Sequence, residues 1–568
     1  MAKRKQGDHR SGEHHSKDLK IIPLGGMREV GKNLTIYEYE DTLIVVDCGI
    51  GFPEEDMPGV DVIIPDFTYL RENQAKFKAV ILTHGHEDHI GAMPYLLKEF
   101  QVPVYGNRLT LKLLEIKLSD RGTQVKNADL RLVTDGMKVG IGQLSVEFIP
   151  VNHSIADANA LAIETPLGVV IHSGDFKVDF TPLSGEVIDL NRLAHFGTQG
   201  VLALISESTN IDIPGTTKSE RAIGDTFRQM FSTVEGRIFV ATFSSNVSRL
   251  QQIITAAEQN GRKVVLVGRS MLNMFKAANE LGYLEIEEGT MAELHQADQL
   301  ADDKVVFIAT GSQGEPMSAL SRIAFASHRE LEIKDGDTVI FSSSMIPGNE
   351  TKIHRVINEL VKQGAKVIYE SLADVHVSGH GYRDELKLLL ALTKPTFFVP
   401  AHGEYRMLHE HAQVAQAMGV DPERTAILSN GDILAINHNR QQVIGFTSGQ
   451  GIPIDGSGMG DIDEDVLNDR RLLADDGVVV AFIAVDQKKN EIATTPDIQA
   501  RGFIYESEIQ DVVQSCLERI RQVADKAKQS DRDIATALKG NELRNSLRNL
   551  LFERTRRRPI ILISVIEV

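Results

Sequence analysis

Apolar residues fall into short runs bounded by glycines and polar turns, and two spacings organise them. Leu19 to Leu24, Leu34 to Tyr39, Leu43 to Asp47 and Ala79 to Leu82 have the length and punctuation of strands. Met93 to Phe100 has helical character, and Leu144 to Pro150 and Val169 to Ile171 are strand-like again. Between about residues 215 and 370 the rhythm changes. Short buried strands (Arg237 to Phe243, Lys263 to Gly268, Lys304 to Thr310, Thr338 to Phe341, Lys366 to Tyr369) alternate with helices. Leu250, Ile253, Ile254 and Ala257 mark one such helix face. This alternation predicts a parallel sheet flanked by helices, hence an α/β domain of its own. Strand text of the first kind resumes at Asp374 to Glu404, so the α/β domain is inserted within another.

Beyond it, Thr447 to Gly460 is glycine-rich and reads as a linker. Gly477 to Val485, Glu491 to Thr495 and Pro559 to Val568 read as strands. The stripe Ile509, Val512, Val513, Cys516, Leu517, Ile520 predicts one helix and Ile534 to Leu551 a second. The expected organisation is a flexible basic tail over 1–19, a first domain from 20–205 and 371–448, an inserted domain over 206–370, a linker over 449–470 and a small α/β domain over 471–568.

Composition narrows the class. Hydrophobic content of 42 % and charged content of 25 % describe a globular protein, and no apolar run approaches the roughly 18 residues needed to cross a bilayer. Two cysteines, Cys48 and Cys516, offer no disulfide framework, which suits a reducing cytoplasm. The net charge of −18 argues against a protein that coats nucleic acid through its whole surface. It leaves a nucleic-acid enzyme open, because local charge and metal ions set affinity.

The chemistry concentrates in Thr83-His84-Gly85-His86-Glu87-Asp88-His89, directly after an apolar strand. Four potential metal ligands stand on one strand-to-helix turn, with His84 and His86 two apart and so on one side of extended backbone. A single tetrahedral zinc rarely takes all its ligands from so short a stretch, so two adjacent metals fit better. A solvated turn would explain one His-x-His; it does not explain the longer run. His153, Asp175 (in Ser173-Gly174-Asp175) and His402 each follow an apolar run, where side chains at a sheet edge can reach a shared site. Asp175 can bridge two metals through its two oxygens. Asp47 also ends a strand, as a turn cap or as a group orienting ligands. In the α/β domain, Ser244-Ser245-Asn246, Gly268-Arg269-Ser270, Gly311 to Gly314 and Ser342 to Ser344 follow successive strands. Such turns expose backbone amides to anions, which makes phosphate contact plausible.

His-x-His-x-Asp-His is the signature of the metallo-β-lactamase fold, and from about Leu24 to the C-terminus the chain resembles the ribonuclease J family of β-CASP nucleases. The resemblance implies a metallo-β-lactamase αββα sandwich with an inserted β-CASP α/β domain and a small C-terminal α/β domain. It implies one zinc held by His84, His86, His153 and Asp175 and another by Asp88, His89, Asp175 and His402, with manganese or magnesium able to substitute in vitro. Two such metals would generate the attacking hydroxide. Asp47 would orient ligands, His380 would protonate the leaving oxygen and Glu207, often an aspartate in the family, would orient His380. Ser244, Ser245, Asn246, His376, Val377, Ser378, Gly379 and His380 would hold the RNA end. Gly59, Asp61 and Asp455 would bind a structural calcium.

The implied activity is 5′-to-3′ exonuclease and endonuclease cleavage of single-stranded RNA with a 5′-monophosphate preference, in mRNA decay and rRNA maturation. The implied state is a cytoplasmic homodimer or homotetramer, with a paralogous subunit or degradation complex as partner and no membrane. A β-lactamase or glyoxalase-like hydrolase would have no use for the inserted domain or for Ser378-Gly379-His380. A DNA nuclease of the same branch and a catalytically dead partner subunit also compete with a ribonuclease. The resemblance implies that partner paralogues can lose ligands from the His-x-His-x-Asp-His run, and this chain keeps them all.

Overall fold

The computed structural model describes residues 17–54, 56–120, 124–183, 185–346, 349–369, 373–456, 458–459, 464–503 and 509–568. Of the expected basic tail, residues 1–16 lie outside this set. The described chain forms two compact units, 1–51 with 63–452, and 52–62 with 453–568.

In the first unit two mixed sheets face each other. One has eight strands in the order Gln441–Phe446, Asp432–Ile436, Leu19–Gly25, Leu34–Tyr39, Thr42–Val46, Phe77–Ile81, Val104–Gly106 and Leu130–Leu132. The other has six, in the order Phe397–Ala401, Val201–Glu207, Gly168–His172, Asn159–Thr165, Leu144–Pro150 and Lys138–Ile141. Their inward residues, among them Ile44, Val46, Ala79, Ile81, Phe148, Leu161, Ile163 and Ile205, form one buried cluster. Each of the larger side chains contributes about 1.5–3 kcal/mol on burial. Helices cover the outer faces: Phe196, Leu386, Leu389 and Met407 pack behind the six-stranded sheet.

The inserted domain leaves after Val201–Glu207 and returns at Phe397–Ala401, and these two strands are parallel neighbours. An excursion of nearly two hundred residues therefore starts and ends at one place, so it does not disturb the sandwich. The insert carries a five-stranded parallel sheet in the order Lys263–Val267, Val305–Ala309, Ile238–Ala241, Thr338–Phe341 and Lys366–Ile368. Its strands are apolar on both faces because helices cover both, giving two clusters around Val240 and Phe239.

In the second unit Val478–Asp486 is central, pairing in parallel with Ile560–Glu567 and antiparallel with Asp497–Arg501 and Glu491–Ile492. Val479, Ala481, Ile483 and Val485 face a helical layer led by Ile509–Gln529. The second helix expected there is two, Ile534–Lys539 and Asn541–Thr555. Gly540 lies between them in an extended conformation (φ −76°, ψ 166°), ending one and starting the other. The expected linker also contains strands, Ile452–Asp455 paired with Gly458–Met459. Residues 52–62, expected in the first domain, cluster with the C-terminal chain.

Candidate metal centre

The expected ligands converge at one edge of the sandwich. Phe77–Ile81 runs parallel to Thr42–Val46, and the two strands deliver Thr83 and Asp47 side by side. Asp47 has a left-handed backbone (φ 60°), a strained setting for a non-glycine residue that holds its carboxylate inward. Asp47 Oδ1 accepts the Thr83 backbone N–H at 2.8 Å, and Oδ2 accepts the Thr83 hydroxyl at 2.7 Å. His89 Nδ1 lies 2.8 Å from the same Oδ2. Asp47 thereby fixes both the start of the turn and the ring of His89.

His84 Nε2 lies 3.1 Å from His86 Nδ1, which lies 3.0 Å from His153 Nε2. His153 Nδ1 is 2.7 Å from the Gly379 carbonyl oxygen, an acceptor, so the ring proton sits on Nδ1 and Nε2 turns its lone pair inward. Asp175 Oδ2 stands among them, 3.7 Å from His84 Nε2, 3.7 Å from His153 Nε2 and 3.2 Å from His89 Nε2. Its Oδ1 lies 2.8 Å from His402 Nδ1. His402 Nε2 is buried without a hydrogen-bond partner, 3.4 Å from Asp88 Oδ2.

Three groups of candidate donors result: the two expected ligand sets, His84, His86, His153 with Asp175, and Asp88, His89, His402 with Asp175, and a third, Glu207, His380, His402 with Asp175. Within each set the ligand atoms lie within 4.8 Å of one another. Burial pushes His84 and His153 below the ordinary imidazole range and His86 down to about 4. The neutral ring is the form that binds metal. Burial also opposes charge on His89 and His402, but Asp175 and Asp88 outweigh it and hold His402 up at about 10. A cation between these groups competes with that proton. Inward lone pairs, an orphaned ring nitrogen and a shared carboxylate fit divalent cations, and the nitrogen-rich donor set suits zinc.

Beside the cluster, His380 Nδ1 donates to Glu207 Oε2 at 2.7 Å, and Glu207 Oε1 accepts the Phe176 backbone N–H at 2.6 Å. His380 Nδ1 is 3.9 Å from Asp175 Oδ2. Burial works against the imidazolium here, yet the Glu207 carboxylate holds His380 above its ordinary range.

The expected RNA-end residues divide. Ser378 Oγ accepts from Asn210 Nδ2 at 2.8 Å and from the His380 backbone at 3.1 Å, and it is half-buried. A Cβ on Gly379 would stand 2.7 Å from Ser154 Oγ and 2.9 Å from His153 Cε1, so only glycine fits. Val377 is buried in the core and offers backbone alone. Burial, with Arg249 and Lys177 nearby, pushes half-buried His376 down to about 3 and keeps it neutral. Ser244 and Ser245 are half-buried at the end of Ile238–Ala241. Asn246 is committed elsewhere: buried, it caps Val247–Gln259 by accepting the Arg249 N–H at 2.8 Å. Two of the expected anion loops are likewise knit to each other, since Gln313 Nε2 donates to Ser343 Oγ and the Ser344 carbonyl.

Gly59, Asp61 and Asp455 do come together, in the second unit, around an arginine. Arg470 donates to Asp455 Oδ2 at 2.6 Å and to the Pro58 carbonyl at 3.2 Å, while Asp61 Oδ2 accepts the Gly456 N–H at 2.8 Å. A Cβ on Gly59 would stand 2.8 Å from the Arg470 guanidinium. The Asp455 carboxylate expected to bind calcium is thus already neutralised. Sequence reasoning missed Asn33, whose Nδ2 lies 3.0 Å from His89 Nε2 and 3.2 Å from the Asp88 carbonyl, and gave Thr83 no role of its own. Asn33 follows an ordinary Gly-Lys turn and carries no local signal.

A sandwich with ligands at one sheet edge and an α/β insertion is a metallo-β-lactamase domain carrying a β-CASP domain. Family comparison gives the same assignment. Residues 27–206 match the metallo-beta-lactamase superfamily and 364–424 the Zn-dependent metallo-hydrolase RNA specificity domain. Residues 235–360 match the ribonuclease J beta-CASP domain and 465–568 the ribonuclease J C-terminal domain. The chain is 42 % identical over 545 residues to ribonuclease J 1 of Streptococcus pyogenes serotype M3, covering 96 % of this chain and 97 % of that protein. It is 41 % identical to ribonuclease J of Thermus thermophilus (97 % and 95 % covered) and 37 % identical to ribonuclease J2 of Bacillus subtilis (98 % and 99 %). The chain belongs to the ribonuclease J family, and its substrate class is RNA.

Proposed function

We propose that the chain hydrolyses phosphodiester bonds of single-stranded RNA with two divalent cations, zinc by preference. It acts both stepwise from the 5′ end and internally, and favours 5′-monophosphate ends. The Glu207–His380 pair at the rim of the ligand cluster carries this reading. Cations at the two donor sets would supply charge neutralisation at the phosphate and an activated water at neutral pH. The chain's own groups do the rest. Asp47 orients His89, and Glu207 holds the His380 ring by Nδ1, leaving Nε2 to give its proton to the departing 3′-oxygen.

The short groups Ser378, Gly379 and neutral His376 suit one terminal phosphate and give little positive charge to neutralise a triphosphate. A held 5′ end sets which bond reaches the metals, so binding determines register. The retained ligands favour an active enzyme over a silent partner subunit. We also assign self-association to the second unit, whose sheet leaves Phe482, Leu562 and Ile566 exposed. The expected state is a homodimer or homotetramer. Among the described residues, no helix is long and apolar enough to cross a membrane.

Digestion of one RNA carrying a 5′-monophosphate, 5′-triphosphate or 5′-hydroxyl, labelled at either end, tests the reading. Stepwise release fastest from the monophosphate is expected; equal rates from all three would remove end recognition. Ser378→Asp should repel the phosphate and depress 5′ release more than internal cleavage.

A further inference from the structure

The last helix of the second unit, Asn541–Thr555, and the turn after it carry six arginines against two glutamates over 541–558, in a chain whose net charge is −18. The helix buries Leu543, Leu547 and Leu551, which fixes where its other positions stand. Arg544, Arg548 and Phe552 recur every four residues, so they line one side at intervals of about 6 Å. Both arginines are exposed, and Phe552 is half-buried. Glu542 and Glu553 fall more than about 100° further round the helix. Glu542 is spent there, 2.7 Å from Lys526 and 3.6 Å from Arg532. No carboxylate of this helix therefore stands on the side of Arg544 and Arg548.

The stripe continues beyond the helix. The Arg556 and Arg558 guanidiniums lie 5.7 Å and 4.7 Å from the centre of the Phe552 ring. Such cation–π contacts hold planar cations in place while leaving their N–H groups free to bond. Arg557, between them, turns instead to Asp476 at 3.8 Å and to the Asp475 carbonyl at 3.2 Å, which pins the turn. Among the described residues, Arg544, Arg548, Arg556 and Arg558 make no ion pair and no side-chain hydrogen bond. Two guanidiniums on one ring repel each other, and no carboxylate within ion-pair distance offsets this.

Four unpaired cations in a row, two of them fixed by a ring, suit a partner whose negative charges also repeat along a line. A small anion would meet only one or two of them. A nucleic-acid strand carries one phosphate per nucleotide, and arginine is the side chain that binds phosphate through paired N–H groups. The chain's substrate class supplies such a strand. The stripe belongs to the helical layer, whereas Phe482, Leu562 and Ile566, to which self-association is assigned, lie on the other face of the sheet. Both surfaces can therefore be used at once.

We propose that Arg544, Arg548, Arg556 and Arg558 form a second RNA-binding surface, which grips the phosphodiester backbone of the substrate strand outside the metal centre and does not read its sequence. The proposal rests on the ribonuclease reading and extends it to the second unit. Gripping of this kind strengthens the binding of long strands and leaves the chemical step unchanged.

The test compares the full-length zinc-loaded wild type with Arg544→Gln/Arg548→Gln. Anisotropy of a fluorescent, nuclease-resistant phosphorothioate RNA of about 40 nucleotides reads binding, since such surfaces cover roughly 4–16 nucleotides. Each phosphate contact on a single strand adds about 0.7 to the slope of log Kd against log salt, or about 5-fold in affinity at about 0.1 M salt. The double variant should thus bind about 10- to 30-fold more weakly, with a slope lower by about 1.4. KM for a 5′-monophosphate RNA of the same length should rise in step, with kcat unchanged. Lys488→Gln/Lys489→Gln, an equal charge change at an exposed turn of the same unit, should bind as the wild type does. Should the double variant not fold, the two single variants decide, each expected to lose about 5-fold. The proposal is overturned if the arginine variants bind RNA as tightly as the wild type, or if the lysine variant loses as much. A lighter particle in sedimentation with RNA binding intact would also overturn it, and make the stripe a subunit contact. Failure of the wild type to cut RNA would instead overturn the ribonuclease reading, while anisotropy still decides the surface.

Discussion

Glu207→Gln separates proton delivery from the rest of the site. In the native chain both carboxylate oxygens are used, one by His380 Nδ1 at 2.7 Å and one by the Phe176 N–H at 2.6 Å, in a residue 2 % exposed. An amide presents a single oxygen, so the variant turns its NH2 towards one of these donors. Loss of the charge-assisted bond costs about 1.5–3 kcal/mol, and general-acid catalysis as a whole supplies roughly 10²- to 10⁴-fold. The expected loss in kcat on RNA is therefore on the order of 10²-fold, with zinc content unchanged. The assay pairs RNA with an aryl phosphodiester such as bis(p-nitrophenyl) phosphate, whose leaving group departs without a proton. There the variant should lose less than about 5-fold, since only positioning is affected. Equal losses on both substrates would refute the assignment of His380 as proton donor and leave Glu207 a purely structural carboxylate.

Further outcomes are expected. His84→Ala should remove at least one of two bound metals per chain, measured by elemental analysis, and nearly abolish cleavage without unfolding the inserted domain. Gly379→Ala should push against Ser154 and His153 and lower zinc retention as well as 5′-end preference, measured by dialysis against a chelator and by end-labelled digestion. At Glu38, burial opposes ionisation, but hydrogen bonds from Lys20, Lys76 and Tyr69 outweigh it and hold the carboxyl below its ordinary value of 4.5. A depressed folded value stabilises above that pH and is lost as pH falls through it. Glu38→Gln should thus cost about 1–3 kcal/mol near neutrality and little in strong acid, read by denaturant titration at several pH values. Deletion from about residue 470 should shift the particle towards monomer in sedimentation.

The clustered positions were legible because the segments that carry them follow apolar runs: Ala79 to Leu82 before His84, Leu144 to Pro150 before His153, Phe397 to Pro400 before His402. Strands buried on both faces write their own ends into the sequence, and the α/β insert showed itself by the same alternation. The missed features are those that depend on distant partners. Asn33 reaches His89 only because Leu34–Tyr39 lies two strands from Phe77–Ile81. Residues 52–62 read as part of the first domain because nothing local marks their grouping with the C-terminal chain. Gly540 is one glycine within an otherwise helical pattern, and a lone glycine is normally tolerated. Asn246 looked available to substrate because a helix cap and an anion-binding turn use the same residue types. The Asp455 carboxylate invited a metal, and only the fold reveals that Arg470 reaches it.

The bond from His153 Nδ1 to the Gly379 carbonyl joins two functions through one proton. It sets the tautomer that a metal requires, and it anchors the Ser378-Gly379 loop, to which the proposed function assigns the RNA end. On the proposed function, metal and RNA end would therefore be linked ligands, and linkage is reciprocal: whatever factor zinc adds to end binding, the bound end must add to zinc retention. An enzyme engaged on a decaying strand should then hold its metals more tightly than an idle one. Stripping by a chelator should slow when a 5′-monophosphorylated oligonucleotide occupies the site, and unchanged stripping would show that the bond carries no coupling.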